Sequence, residues 1–204
     1  MSQTPAFVAR LTNNRIFGPG ERAQIRAMAV RGLHQDTLGF DIFTGLWWPL
    51  RNKSQDAPRR EVAWLAVKLY AAFSVPHLRA ENCEGPTLPF ALGLSEPTHR
   101  ACSDAALLSG PVPEYEPAKS QFIVARRFRR HFDALLSTPL GALEPHLRWA
   151  LSVVTYAVEK KRCAGIDWVQ LIDHLSIWDR GEEHRLHRDV RDFWAEQYLI
   201  STQY

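Results

Sequence analysis

Apolar positions in the first half of the chain recur at the three- and four-residue spacing of amphipathic helices. Residues 18–30 predict one helix, which the chain enters through a Gly-Pro-Gly turn. Residues 60–74 predict a second, with Val62, Leu65 and Leu69 on one face, because residues three and four apart are neighbours on a helix. No run of alternating β-branched residues indicates a sheet, so the pattern predicts an all-α protein.

The second half has a clearer helical pattern, which begins with residues 118–136. One stripe of this helix is apolar and consists of Phe122, Ala125, Phe128, Phe132, Leu135 and Leu136. Lys119, Arg126 and Arg130 are spaced by seven and four and fall on a different face. The phenylalanines are therefore predicted to face the core, and the arginines are not.

Three more helices are predicted after this one, which makes a four-helix bundle. The first starts near Glu144 and ends in "EKKRCAG", with Gly165 as the predicted stop. Asp167 is predicted to cap the next helix, with Gln170 as its capping-box partner. The last helix is predicted from about Glu182 to Ile200.

The two helical parts are separated by a proline-rich stretch. Seven of the thirteen prolines lie between residues 76 and 117, and proline interrupts both helices and strands. We predict a long linker there with one or two short helices, of which residues 101–110 are one candidate. The predicted organisation is two small helical bundles joined by a Pro-rich linker: an N-terminal domain over 1–110, with the linker from about 76, and a C-terminal four-helix bundle over 111–204.

The composition is that of a globular protein, since 46% of the 204 residues are hydrophobic. The N-terminus lacks the apolar stretch of a signal peptide, and no segment approaches the roughly 18 apolar residues needed to cross a bilayer. We therefore expect a cytoplasmic protein without membrane association. Three widely spaced cysteines, Cys83, Cys102 and Cys163, are expected to be reduced packing residues.

Charge is segregated along the chain, although the net charge of +3 is small. Counting Lys and Arg against Asp and Glu gives +6 for 1–80, −5 for 81–118, +6 for 119–162 and −4 for 163–204. Two basic blocks between acidic ones suggest a protein that contacts a polyanion with part of its surface.

The densest basic run is "RRFRR" at residues 126–130. An arginine side chain has several N–H donors in one plane, and these match the oxygens of a phosphate group. Such a run can also be an ordinary solvated helix face, but Asp133 is the only acid close to it in sequence. Further basic residues end the helix after it and occur in the first half. The predicted nucleic-acid-binding residues are Arg22, Arg26, Arg51, Arg59, Arg60, Arg126, Arg127, Arg130, Lys160, Lys161 and Arg162.

The tryptophans are predicted to serve mainly in packing. Trp149, Trp168, Trp178 and Trp194 occur at core spacing, and base stacking is the minority interpretation for them. An apolar patch around Trp47 and Trp48 gives way to a basic, turn-forming loop.

Catalytic signatures are absent from the sequence: it has no P-loop, no GxGxxG after a strand, no HExxH and no GxSxG. His184 and His187 have a chelating spacing but no evident third ligand, and Asp173–His174 reverses the His-Asp doublet of helical phosphohydrolases. We predict no enzyme, no cofactor and no metal site. Two alternatives stay open: a helical scaffold that docks acidic protein surfaces, and a metal-dependent hydrolase.

The order of the motifs resembles a known family. "PGERAQIRAM", "EVAWLAVKLYAAF", "ARRFRRHFDAL", "LEPHLRWALSVV", "GIDWVQLIDHLSIWD" and "VRDFWAEQYL" are similar, in sequence order, to the CasB family, the small subunit of the type I-E CRISPR Cascade complex. The resemblance covers most of residues 15–200 and is strongest from 120 onward. In the linker only "GPTLPFALGL" loosely matches the family's glycine-led helix.

The resemblance implies an all-helical, non-catalytic protein of two small bundles. Such a protein is present as two copies, with other Cascade subunits, in a ribonucleoprotein that contains guide RNA and target DNA, and its basic surface supports the target strand and the displaced strand. The family's basic positions are matched by Arg22, Arg26, Arg127 and Arg130.

Overall fold

The computed structural model describes residues 2–28, 40–54, 56–80, 83–96, 117–179 and 189–202, and within them the regular secondary structure is helical. The α-helices of these ranges are α1 Thr4–Thr12, α2 Pro19–Met28, α3 Phe40–Arg51, α4 Arg60–Phe73, α5 Leu88–Ser95, α6 Pro117–Ser137, α7 Glu144–Glu159, α8 Trp168–Ile177 and α9 Val190–Thr202. A 3₁₀ turn, Leu140–Ala142, lies between α6 and α7. The all-α prediction is confirmed.

Helix α4 lies at the centre of the fold. Every residue from Val62 to Ala71 is buried, because α4 contacts α2, α3, α7 and α8. The sequence predicted one buried face for this helix, which is wrong, since helices distant in sequence cover the others. Even Lys68 is buried, and its ammonium pairs with the carboxylate of Glu144 at the start of α7.

Helices α6 and α7 form a hairpin, and their predicted starts and facing residues agree with the structure. Phe128, Phe132 and Leu135 of α6 are buried, and the rings of Phe128 and Trp149 meet edge to face at 5.1 Å. The side chains of residues 117–125 lie outside the described part, and so do the predictions for Lys119, Phe122 and Ala125. The short connection between α6 and α7 makes the two helices antiparallel.

The end of α7 differs from the prediction. The helix stops at Glu159 rather than at Gly165, because Lys161 adopts a left-handed conformation with φ 58°. The amide of Lys161 donates to the carbonyl of Val158 at 3.0 Å, and that of Arg162 donates to Ala157 at 2.8 Å. These two bonds form a Schellman motif, in which the left-handed position is usually glycine. A lysine there gives no sequence signal for a helix stop.

The cap of α8 is confirmed, but its capping box is not. The carboxylate of Asp167 accepts from the amides of Val169 at 2.9 Å and Gln170 at 3.3 Å. The side chain of Gln170 instead donates to the carbonyl of Gly85, and the amide of Asp167 donates to the carbonyl of Pro86 at 2.8 Å. The partners that sequence reasoning assigned locally therefore come from the segment before α5.

Helices from both halves of the sequence share one core of buried residues. Helix α5, which lies in the predicted linker, packs closely against α9, and α1 packs against α8. A Cβ at Gly93 of α5 would lie 2.5 Å from the carbonyl oxygen of Tyr198, so glycine allows this approach. The division at 110/111 and the candidate helix at 101–110 lie outside the described residues, and the two-domain organisation stays a prediction.

Candidate nucleic-acid interface

Three arginines of α6 form an exposed cationic ridge. Arg126, Arg127 and Arg130 are exposed, and within the described residues none of them has a carboxylate partner. A helix turns by about 100° per residue, so Arg126 and Arg130 point within about 40° of each other and away from the buried Phe128. The ridge therefore offers three guanidinium groups to an external anion.

The fourth arginine of the run is committed to the fold. The Nε of Arg129 lies 2.7 Å from the Oε1 of Glu96, a residue that is only 5% exposed. The hydroxyl of Tyr198 donates to the other oxygen of Glu96 at 2.7 Å. Burial, with the hydrogen bond to Glu96 next, raises the pKa of Tyr198. Arg129 thus neutralises a buried carboxylate and joins α6 to the end of α5.

The cations at the end of α7 are also exposed. The ammonium of Lys160 lies 5.4 Å from the ring centroid of Tyr156, and Lys161 and Arg162 follow in the Schellman turn. Because α6 and α7 are antiparallel, this turn lies beside the N-terminal half of α6. Trp149 of α7 meets the rings of Phe128 and His131, so at a rise of 1.5 Å per residue the turn lies roughly 10–20 Å along the axis from the arginines of α6.

The two arginines of α2 differ in their surroundings. Arg22 donates from Nε to the carbonyl of Phe17 at 3.1 Å and from Nη2 to the side-chain oxygen of Asn14. Its guanidinium lies 5.3 Å from the ring centroid of Tyr70, within cation–π range, and so helps to hold α2 on α4. Arg26 is exposed one turn later.

The remaining predicted residues line clefts around the connection between α3 and α4. Arg51 and Arg59 line a cleft of about 890 Å³, which also contains Arg79 and the acids Asp56, Glu84 and Asp173. Arg59 and Arg60 line a second cleft of about 410 Å³, together with Lys68, Glu61, Glu144 and Asp179. In the described residues, the Nε and Nη2 of Arg59 are buried without a hydrogen-bond acceptor. Both clefts are of mixed charge, unlike the ridge on α6.

The eleven predicted residues therefore fall into four groups, on α2, between α3 and α4, on α6 and at the end of α7. The last two groups lie on the two helices of one hairpin and are separated along its axis. That all four line one continuous groove stays a prediction.

Sequence reasoning did not select Trp48, which is 52% exposed at the end of α3. Trp168, Trp178 and Trp194 are buried as predicted, and Trp149 is partly buried. The signal for Trp48 is its neighbour: two consecutive helical residues point about 100° apart, so on a helix with one buried face only one of two adjacent tryptophans is expected to face the core.

No group of three or more potential ligands that could hold a metal ion occurs among the residues the structure describes. His184 and His187 lie outside them. His174 is partly buried and accepts a hydrogen bond from the indole of Trp194 at 3.0 Å, and the loss of hydration lowers the pKa of His174 to about 4. Burial also raises the pKa of Cys163, while Cys83 is exposed and Cys102 lies outside the described part.

None of the described helices has the length and apolar character needed to span a bilayer.

A family model described as CRISPR-associated protein Cse2 matches residues 21–199. The chain belongs to the Cse2 family. All eleven predicted residues lie within the matched range, and the resemblance to CasB, which is the Cse2 family under another name, is confirmed. No curated protein sequence matches the chain significantly.

Two solved structures resemble this Cse2-family chain over almost its whole length. A CRISPR-associated protein of the Cse2 family from Thermus thermophilus has a TM-score of 0.62 at 22% identity, and the match covers 98% of this chain and 99% of the other. CasB of M. ruber has a TM-score of 0.62 at 18% identity, with coverage of 100% and 95%. At these identities the likeness supports the helical fold alone.

Proposed function

We propose that this Cse2-family protein is a non-catalytic subunit of Cascade, a CRISPR RNA-guided surveillance complex for antiviral defence. In this proposal it stabilises the guide RNA paired with target DNA, and the displaced strand of the R-loop, by contacts to the sugar-phosphate backbone. Its partners are guide RNA, target DNA, other Cascade subunits and a second copy of itself, in the cytoplasm.

The observation that carries this proposal is the ridge of Arg126, Arg127 and Arg130. The three guanidinium groups project from a helix whose opposite side is packed in the core, and the neighbouring acid-bound arginine, Arg129, is the one that the fold uses. A guanidinium without an internal carboxylate keeps its donors available for phosphate oxygens, which it binds in a bidentate manner.

Backbone contacts of this kind suit the energetics of an R-loop. The heteroduplex that forms is about as stable as the DNA duplex that it replaces, so modest protein contacts to the strands decide the balance. Phosphate contacts carry no sequence information, which is the appropriate property where base pairing with the guide reads the sequence.

The test is purification of the complex from its host through this chain, with wild-type protein and with Arg127→Glu/Arg130→Glu. The proposal predicts that wild-type protein co-purifies with guide RNA, and that the variant assembles with the same subunits but leaves the displaced strand open to a single-strand-specific nuclease. Arg129→Gln is the matched control on the same helix, and we expect it to protect the strand as the wild type does once it is folded.

Two results would contradict the proposal. Recovery of the wild-type chain without any nucleic acid would remove the assignment to a guide RNA complex. Loss of the double variant from an otherwise intact complex would instead mean that the ridge docks an acidic protein surface.

A further inference from the structure

An aromatic cleft at the end of α3 has an open indole and one cation on its rim. The cleft, of about 410 Å³, is lined by Phe43, Thr44, Trp47, Trp48 and Arg60. This volume lies within the roughly 300–1,000 Å³ range of small-ligand sites. Its lining contains three aromatic side chains, one hydroxyl and a single guanidinium, and no carboxylate.

The aromatic wall of this cleft is fixed by the fold. The indole of Trp47 donates to the carbonyl of Pro58 at 2.8 Å and stacks on the ring of Phe43, with centroids 5.5 Å apart and planes 10° apart. Trp64 of α4 meets Phe43 edge to face at 5.4 Å. Because these rings are held by packing and hydrogen bonding, a ligand does not have to order the wall when it binds.

Trp48 stands next to this wall and is not covered by it. Its ring centroid is 6.2 Å from that of Trp47, with the planes inclined by 54°, and its side chain is 52% exposed. A large aromatic side chain left in water beside a preformed cleft indicates a binding surface.

Charge decides which occupant fits the cleft. The lining carries one cation, Arg60, and no carboxylate, and the segment 51–61 has four cations, Arg51, Lys53, Arg59 and Arg60, against two acids, Asp56 and Glu61. A single strand of nucleic acid uses both features of the surface, since a base can stack on the indole while its phosphate meets a guanidinium. A duplex cannot, because its bases are covered above and below by their neighbours.

We infer that Trp48 and Arg60 form a stacking site for an unpaired nucleobase and its phosphate. This inference rests on the proposed function and specifies it further: of the three strands of an R-loop, the site takes the unpaired one. The base stacks on Trp48 against the wall formed by Trp47 and Phe43, and Arg60 holds the adjoining phosphate. Stacking of this kind tolerates any base, in keeping with backbone contacts elsewhere.

The test compares two labelled single strands of equal length, an oligothymidylate and the same strand with abasic sites, by fluorescence anisotropy with the full chain. Trp48→Ala is expected to weaken binding of the base-containing strand roughly 10-fold and to leave binding of the abasic strand unchanged. Trp48→Phe, which keeps a ring, is expected to restore most of the affinity. Arg60→Gln is expected to weaken both strands alike.

Leu199→Ala is the matched control, because Leu199 is a large apolar residue that is 57% exposed on α9. It should change neither affinity, and a thermal melt confirms that each variant is folded. Irradiation of a bromouridine-substituted strand gives a second readout and should crosslink to Trp48 in the wild-type chain.

The outcomes separate this inference from the function on which it rests. If the wild type binds both strands in a salt-dependent manner and Trp48→Ala weakens both equally, or weakens neither, the stacking site is overturned. The proposed function is unaffected by that result. Wild-type protein that binds neither strand would overturn both. Trp48→Ala could instead leave strand binding intact and cause a protein subunit to be lost from the complex. The cleft would then bind an apolar side chain of a partner protein, and this result would also overturn the inference.

Discussion

The guanidinium of Arg129 lies 2.7 Å from the carboxylate of Glu96, and this contact separates one arginine of the "RRFRR" run from its three neighbours. Glu96 is buried, whereas the side chain of Arg129 is 62% exposed. The pair ties α6 to the end of α5, and it lies against α9 through the hydroxyl of Tyr198. One of the four arginines is therefore committed to the fold, whereas the other three are exposed and have no carboxylate partner among the described residues.

Replacement of Arg129 is expected to cost stability. In Arg129→Gln the buried carboxylate of Glu96 loses its charged partner and, among the residues that the structure describes, keeps the hydroxyl of Tyr198 as a donor, which lowers the free energy of unfolding by about 1–3 kcal/mol. Arg130→Gln, on the exposed side of the same helix, should change it by less than about 0.5 kcal/mol. Urea unfolding of both variants is the measurement, and equal losses would contradict the distinction.

The arginines of α2 are expected to differ in the same way. Arg22→Gln removes two hydrogen bonds and a cation–π contact with Tyr70, and should destabilise the protein by about 1–2 kcal/mol. Arg26→Gln should leave stability unchanged and weaken strand binding. Thermal melts together with anisotropy titrations check both statements. An unchanged melting temperature for Arg22→Gln would argue against its role in holding α2 on α4.

Replacement of Lys161 by glycine is expected to stabilise the fold and to weaken strand binding. The left-handed backbone at Lys161 costs a non-glycine residue about 1 kcal/mol, so Lys161→Gly should raise the free energy of unfolding by about 0.5–1 kcal/mol. The same variant loses one cation and should bind a single strand more weakly. Lys161→Arg, which keeps both the charge and the Cβ, is the control and should match the wild type. A less stable glycine variant would contradict the assignment of this helix stop.

His174 predicts a loss of stability in acid. Burial lowers its pKa in the folded protein from 6.5 to about 4, so between these values the unfolded chain binds more protons than the folded one. Its contribution is therefore fully present above pH 6.5 and is lost as the pH falls towards 4, by up to about 3 kcal/mol. His174→Asn keeps an acceptor for the indole of Trp194 but cannot titrate. Urea unfolding across this pH range should show the wild type losing stability relative to the variant, and parallel pH profiles would contradict the prediction.

Local patterns were sufficient to predict much of the helical architecture. The bounds of α6, the start of α7 and the cap at Asp167 follow from apolar spacing and capping chemistry, which act over a few residues. The stop of α7 was misplaced because Lys161 occupies a position that glycine normally marks. The all-round burial of α4 depends on helices far away in sequence, which periodicity does not reveal.

The candidate site was predictable as a set of cations but not as an arrangement. Composition identifies an arginine-rich helix, yet which arginine is neutralised depends on Glu96, 33 residues away in sequence. The involvement of Arg22 in the packing of α2 likewise depends on Tyr70. The exposure of Trp48 follows from how α3 lies on α4. The two adjacent tryptophans in the sequence indicate that one of them is exposed, but not which one.

The salt dependence of single-strand binding by the full chain, compared with that of Arg126→Gln/Arg127→Gln/Arg130→Gln, measures whether the α6 ridge binds phosphates. Each phosphate that is neutralised on a single strand contributes about −0.7 to the slope of log K against log salt. If the ridge binds phosphates, we expect a steep negative slope for the wild type, and a slope shallower by about 2 for the folded triple variant. A flat response of the wild type, or an unchanged slope in the variant, would contradict the assignment of the α6 ridge to nucleic acid.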